Sequence, residues 1–363
     1  MIYNATTYKR PVLVFGAGVQ CAREQAVAFA EALGWPVALT WGAIDLLPST
    51  HPLNVGGFGT HALRMPNFVV QNADFLLTIG TRLDTKATGT PLESFARAAR
   101  ILMVDVDSAE IAKFGGRVQG LNLDCREFFD LYHVETAPID AWWAQVRRWA
   151  LRWPIPSSGP YAHVLRLSDA FGEGDIIVSD TGHALAWCMQ AFRFKKGQRF
   201  IHAFNNTPMG YGLPAAIGAA FANPERQIRL ICGDGGLQLN IQEWATVAHH
   251  NLPITTYLFN NRGHGMCRQT QHQWLGGVYP STSHEGGLAC PNFKGIALAY
   301  GVNLHEFTIP FDAQLSPCVQ AGRPNEDAHP LMEREELRSE MLIPLWGDAA
   351  GDAVAAPYYE GRW

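Results

Sequence analysis

Short apolar runs that end in glycine or an acid alternate along this chain with stretches of helical period, and that alternation constrains the fold more than any other feature. Residues 10–21 (RPVLVFGAGVQC) read as a buried strand running into a glycine turn. Residues 22–33 (AREQAVAFAEAL) follow with apolar positions at helical spacing, Gly34 as a stop, and WPVALTW as a second strand. Further strands are expected near 75–79 and 101–106. A second series contains DIIVSDTG, PAAIGAAFA, QIRLICGDGG, NIQEWATVAHH and ITTYLFNNRG, which read in turn as strand, helix, strand, helix and strand. Alternation of this kind builds βαβ units and parallel sheets. The expected fold class is therefore α/β, with two doubly wound parallel-sheet domains and an irregular C-terminal tail. The boundaries are placed at 1–137 for the first domain, 138–160 for an amphipathic helix and Pro/Ser/Gly linker, 161–318 for the second domain, and 319–363 for a polar, Pro-punctuated tail with one short helix.

Composition narrows the function classes. At 363 residues the chain is long enough for two cores. It has no apolar run of membrane-spanning length and no basic segment leading into a cleavable apolar core, so neither a membrane span nor a secretory leader is expected. The formal net charge is −5 and the basic residues are scattered, which disfavours nucleic acid as a partner. Seven dispersed cysteines without a C-x-x-C pair read as reduced thiols, and the expected location is cytoplasmic.

Two glycine motifs carry chemistry. Gly16-Ala17-Gly18 follows a strand and opens a helix, as in dinucleotide sites. However, Cys21 stands where the third glycine belongs, and the next strand ends without the acid that would hold a ribose hydroxyl. A tight βα turn is the plainer reading. The stronger signal spans 230–263. There LICGDGG ends in Gly233-Asp234-Gly235-Gly236 and TYLFNNRG ends in Asn260-Asn261-Arg262-Gly263, with one crossover helix between them. One crossover makes the two strands parallel neighbours, so Asp234 and Asn261 converge at their carboxyl ends, where open α/β sheets bind ligands. A carboxylate and an amide oxygen suit Mg²⁺, which takes its remaining ligands from phosphates and water. The glycines let backbone N–H groups approach a diphosphate.

Asp234 and Asn261, 27 positions apart, with their flanking GDG and NN, resemble the diphosphate–Mg²⁺ motif of thiamine diphosphate enzymes. MGYGLPAAIGAA (209–220), GDGGLQLNIQEWATV and NNRGHGMCRQ resemble the acetolactate synthase group in particular. TWGAIDLLPSTHPLNVG, QNADFLLTIGTRLD and ILMVDVDSAEI resemble that group's central domain. The resemblance covers roughly 10–310. It implies Asp234 and Asn261 as side-chain ligands of Mg²⁺, with Gly263 binding through its carbonyl. Gly233, Gly235 and Gly236 would lie along the diphosphate, and Met209 would prop the cofactor in a bent form. Gly182 and His183 would stand on a diphosphate-contacting loop, although the family often has Gln-His where this chain has His183-Ala184. His264 and Met266 would line the thiazolium side, with His264 also a candidate for acting on substrate. The pair His249-His250 reads as surface.

The resemblance further implies thiamine diphosphate-dependent decarboxylation of a 2-keto acid with carboligation to a second carbonyl, in an oligomer; some members of the group also hold FAD around loops like GTRLDTKATG, and that cofactor stays open here. Three departures matter, one being that AYGVNLHEFTIPFDAQLSPCV is short where family members carry another helix before the last strand. Acetohydroxy acid synthases place a Trp nine positions after the Mg²⁺-binding Asn, where this chain has Thr270. No residue of the 363 matches the glutamate that activates the aminopyrimidine ring, so a partner subunit with a pyrimidine-binding domain is expected to supply it. The competing readings are a non-catalytic fragment or regulatory binding protein that retains the fold, and a nicotinamide-dependent oxidoreductase using Gly16–Gly18.

Overall fold

The computed structural model describes residues 1–302 and the backbone of two further strands, Leu304–Phe307 and Cys318–Ala321. The short helix expected in the tail lies outside the described residues. The described residues divide into two compact units, Met1–Ser168 with Met189–Lys196, and Asp169–Cys188 with the described residues from Gly197 on.

The first unit holds strands β1 (Ile2–Asn4), β2 (Pro11–Phe15), β3 (Val37–Leu39), β4 (Asn54–Gly57), β5 (Phe75–Ile79), β6 (Arg100–Asp105), β7 (Val118–Asn122) and β8 (His133–Glu135). Six of them form one sheet in the order β4-β3-β2-β5-β6-β7, every neighbour parallel. This is the doubly wound order, with its reversal between β2 and β5. Every residue of β2 and β5 is buried, which is why these strands read as continuous apolar runs rather than alternating ones. Val12, Val14, Leu76 and Met103 point to one face and pack with Phe58, Phe95 and Trp142. Trp142 comes from the helix Asp140–Arg152, so the amphipathic segment buries its apolar stripe in this unit's core.

The Gly16–Gly18 turn serves packing. A methyl group on Gly16 would lie 2.3 Å from the Gly80 carbonyl oxygen, and one on Gly18 would lie 2.7 Å from the Gly80 Cα. Its N–H groups are already used: Gly16 donates to the Ile79 carbonyl (3.0 Å), Gly18 to that of Gly80 (2.9 Å) and Val19 to that of Gly16 (3.2 Å). None of these three amides is left for a phosphate, and the nicotinamide reading loses its site. The fold also pairs two thiols that sequence spacing separates: Cys21 Sγ and Cys125 Sγ are 3.8 Å apart, and burial pushes the Cys125 thiol up to about 12.

The second unit holds β9 (Ile176–Ser179), β10 (Arg199–Ile201), β11 (Ile228–Gly233) and β12 (Ile254–Phe259), parallel throughout in the order β10-β9-β11-β12. Its core joins Val178, Leu230, Cys232 and Leu258 to Leu213, Ala216 and Ala220 of the helix Gly212–Ala222, and to Trp244, which is fully buried. Small alanines let that helix sit close on the sheet. The strands β13 (Leu304–Phe307) and β14 (Cys318–Ala321) form an antiparallel pair. One expectation is corrected here. The crossover after β11 is not a loop followed by one helix over 240–250. A helix begins at once at Asp234–Leu239, a 3₁₀ turn follows at Ile241–Glu243, and a second helix runs Trp244–His249. Gly235 and Gly236 therefore occupy the first turn of a helix, where a strand-then-loop reading of glycines did not place them.

The helix Pro160–Ala170 carries a buried histidine, His163, whose pKa is pushed down to about 4 by burial and secondarily by Arg166. A folded-state pKa below the unfolded value of about 6.5 means the unfolded chain binds the extra proton between the two. The stability this site contributes is complete above about pH 6.5 and falls as pH drops toward 4, by up to about 3 kcal/mol. Denaturant midpoints at neutral and acid pH should converge for a His163→Asn variant relative to wild type; an unchanged acid sensitivity would rule this site out as its source.

Candidate active site

β9 and β11 are parallel neighbours on either side of the point where strand order reverses in the second unit, and β12 pairs with β11 so that Phe259 lies opposite Gly233. The segments leaving β9, β11 and β12 thus emerge at the same sheet end, outside the switch point. Asp234 follows β11 directly, and Asn260 and Asn261 follow β12. Arg262 adopts the left-handed region (φ +49°), an arrangement that costs a non-glycine residue about 1 kcal/mol and clusters at functional loops. Beyond it the chain turns back, and the Gly263 N–H donates to both Asp234 Oδ2 and Asn261 Oδ1, each at 3.1 Å. The two side chains therefore meet at one point.

Asp234 is 6% exposed. Burial pushes its carboxyl above the ordinary range, opposed by the Gly235 and Gly263 N–H groups and the nearby His264. A buried carboxylate in this state gains from a cation. Among the described residues no three His, Cys, Asp or Glu side chains gather into a metal-holding group. Any cation here would draw on one carboxylate and one amide, with oxygens from elsewhere.

The remaining candidates surround this point. A methyl on Gly235 would lie 2.6 Å from His264 Nδ1 and 3.1 Å from Met209 Cε, so both side chains crowd over that glycine. Met209 itself is 40% exposed, an apolar side chain left largely uncovered. His264 N–H donates to the Thr282 carbonyl (3.1 Å) at the start of the helix Gly265–Trp274. A methyl on Gly182 (φ +89°) would lie 4.0 Å from Met266 Cγ. His183 hydrogen-bonds Gln269 through Nε2 at 3.1 Å and stacks on Trp187. A methyl on Gly265 would meet His183 Nδ1 at 2.5 Å and Asn261 Nδ2 at 3.0 Å, which puts His183 beside the Asn261 turn. Gly233 ends β11, and a methyl there would lie 4.0 Å from the Phe259 carbonyl oxygen, an ordinary contact. Asp234, Asn261, Gly263, Gly235, His264 and Met209 are thus contiguous, and Gly182, His183 and Met266 adjoin them. By contrast, His249 and His250 meet edge to face at 4.7 Å near Phe221, at an exposed helix end.

Sequence reasoning missed three polar side chains here: Asp180, Asn240 and Gln269. The first had a legible signal, an acid ending an apolar strand two residues before Gly182, the same grammar as Asp234 after β11.

The family model described as thiamine pyrophosphate enzyme, C-terminal TPP binding domain, matches residues 180–330, and the one described as thiamine pyrophosphate enzyme, central domain, matches 2–130. The chain is 32% identical over 346 residues to the acetolactate synthase isozyme 1 large subunit of Escherichia coli (strain K12), covering 93% of this chain and 61% of that protein. It is 30% identical to the probable acetolactate synthase 2, chloroplastic, of Oryza sativa subsp. japonica (81% of this chain, 48% of that protein). It is 31% identical to the acetolactate synthase large subunit of Parasynechococcus marenigrum (strain WH8102) (81% and 49%). The chain thus spans between about half and three-fifths of the length of these relatives. With a central domain over its first unit and a TPP binding domain over the strands that gather Asp234, Asn261 and Met209, the chain belongs to the thiamine pyrophosphate enzyme family.

Proposed function

We propose that this chain provides the diphosphate-and-metal half of an acetolactate synthase-like enzyme, which decarboxylates a 2-keto acid and joins the remaining fragment to a second carbonyl. The observation that carries this reading is the meeting of Asp234 Oδ2 and Asn261 Oδ1 on one N–H, beside Met209 and His264 and within the matched TPP binding domain. On this reading 1–137 is the central domain, 138–160 the connecting helix and linker, and 161–318 the cofactor domain.

The residues present fit the group. Asp234 is a buried carboxylate with His264 nearby, and Asn261 aims its amide oxygen at the same spot. Together with the Gly263 carbonyl they would hold Mg²⁺, the diphosphate and water completing its octahedron. Gly182, Gly233, Gly235 and Gly236 would offer the diphosphate close approach to backbone, with His183 at its flank. When bound, thiamine diphosphate supplies the nucleophilic ring carbon and the electron sink for loss of CO₂. Met209, uncovered over Gly235, presents the apolar surface against which a bent cofactor rests. His264 and Met266 wall the same side, where they exclude water, and His264 is placed to exchange a proton with substrate. FAD in the central unit, near 80–89, is a further part of this reading: a yellow purified protein supports it and a colourless one rules it out.

Activation of the aminopyrimidine ring is assigned to a glutamate on a pyrimidine-binding domain outside these residues, supplied by a partner subunit in an oligomer. Thiamine diphosphate should bind the full chain only with Mg²⁺, and CO₂ release from pyruvate should appear when the partner is added. Failure of Mg²⁺-dependent binding would overturn the function. Strong turnover by the chain alone would overturn the need for a partner.

A further inference from the structure

Asp180 has no part in the site as described so far, yet its carboxylate is 1% exposed and stands among three of the site's segments. It leaves the end of β9. Its Oδ1 accepts N–H groups from Thr181 (2.7 Å) and Gly210 (3.2 Å), and its Oδ2 accepts that of Gly212 (2.9 Å). Its fourth neighbour is Gly236, where a methyl would lie 2.9 Å from both Asp180 Cγ and Oδ1. From the other side, Asn240 Nδ2 donates to the Gly210 carbonyl at 2.6 Å. Gly210 therefore has its N–H held by one side chain and its carbonyl by another. Its left-handed φ of +82° and the 2.7 Å gap from a notional methyl to Asn240 Nδ2 admit no larger residue.

A buried carboxylate is an expensive way to close a turn, because its desolvation must be offset by charge-assisted hydrogen bonds from N–H groups. What distinguishes this turn is its passenger. Met209 immediately precedes Gly210 and extends its Cε over Gly235, while Asp180 also backs Gly236. One carboxylate thus sets the spacing between the turn that carries Met209 and the helix start that carries the two glycines.

We propose that Asp180 is a positioning residue for cofactor binding: by gripping the 210–212 backbone and abutting Gly236, it fixes the height of Met209 above Gly235 and so tunes affinity for thiamine diphosphate without touching it. The proposal rests on the function given above. Asn240 is the second holder of the same turn.

The test is a titration of the full chain, with any partner that accompanies it, using thiamine diphosphate in Mg²⁺ and tryptophan fluorescence as the readout. Asp180→Asn keeps the volume but turns one acceptor into a donor facing an N–H. It should weaken binding at least tenfold with the circular dichroism of the fold retained. Asn240→Ala should weaken it several-fold. Because both act through Met209, adding either to Met209→Ala should cost nothing beyond the larger single loss. A merely structural role would instead lower affinity by factors that multiply. Wild-type affinity in both Asp180→Asn and Asn240→Ala, or multiplying losses, would overturn the proposal. Should Asp180→Asn fail to fold, the Asn240→Ala and Met209→Ala cycle decides by the same criterion. If wild-type protein binds no thiamine diphosphate, the proposed function falls and takes this inference with it; binding by wild type with unaffected variants removes this inference alone.

Discussion

Replacing Asp234 with alanine is expected to weaken Mg²⁺-dependent thiamine diphosphate binding by at least 100-fold, about 2.7 kcal/mol, while leaving the ligand-free protein at least as stable as wild type. The two halves of this result have separate causes. Binding suffers because the carboxylate is the anionic group at the point where the β11 and β12 segments meet, and Mg²⁺ has few other protein ligands to fall back on. Stability is spared because the carboxylate is buried, and burial works against its charged form at neutral pH. Removing it takes the acceptor from one donor, the Gly235 N–H in the first turn of a helix, while the Gly263 N–H keeps Asn261 Oδ1. Isothermal titration calorimetry and a thermal melt on the same preparation check both halves. A variant that binds normally would contradict the metal assignment. One that loses binding only because it melts early would assign Asp234 to folding instead.

The reverse signature is expected at Gly16. Alanine there should lower unfolding stability by about 3 kcal/mol, near the upper end of what an extra carbon in a packed site costs, because its obstacle is backbone. The methyl would sit 2.3 Å from the Gly80 oxygen and 2.6 Å from the Thr81 Cα, neither of which can rotate away. Gly116, which has open space around it and an ordinary φ, is the control: its alanine variant should stay within about 0.5 kcal/mol of wild type in denaturant titrations. A Gly16→Ala protein with wild-type stability would mean that the turn relaxes freely and that the backbone contact is not what demands glycine there.

The parts of the fold legible in the sequence were those where burial writes an unbroken apolar run. β2, β5, β9, β11 and β12 are strands buried along most or all of their length, and each appears as such a run ending in glycine or a polar turn. β4 and β7 were not legible. The first is Asn-Val-Gly-Gly, two of its four residues glycine, and it becomes a strand only by pairing with β3 across a register shift. The second, Val-Gln-Gly-Leu-Asn, is an edge strand with no buried residue. The meeting of Asp234 and Asn261 was legible because one crossover between two strands dictates parallel neighbours. The helix start at Asp234 was hidden because glycine is a poor helix former whose presence signals a loop. Asn240 was hidden because its partner is a backbone carbonyl, which leaves no mark on the sequence; Asp180 does carry a mark, an acid at the end of an apolar strand, but its backbone N–H partners do not.

The central claim is a shared metal. A crystal structure of the full chain grown with thiamine diphosphate and Mg²⁺ tests it most directly. The account predicts one octahedral ion with an Asp234 carboxylate oxygen, Asn261 Oδ1 and the Gly263 carbonyl about 2.0–2.1 Å away, its other positions filled by diphosphate oxygens and water. A diphosphate bound elsewhere, or an ion that leaves either Asp234 or Asn261 uncoordinated, would contradict it.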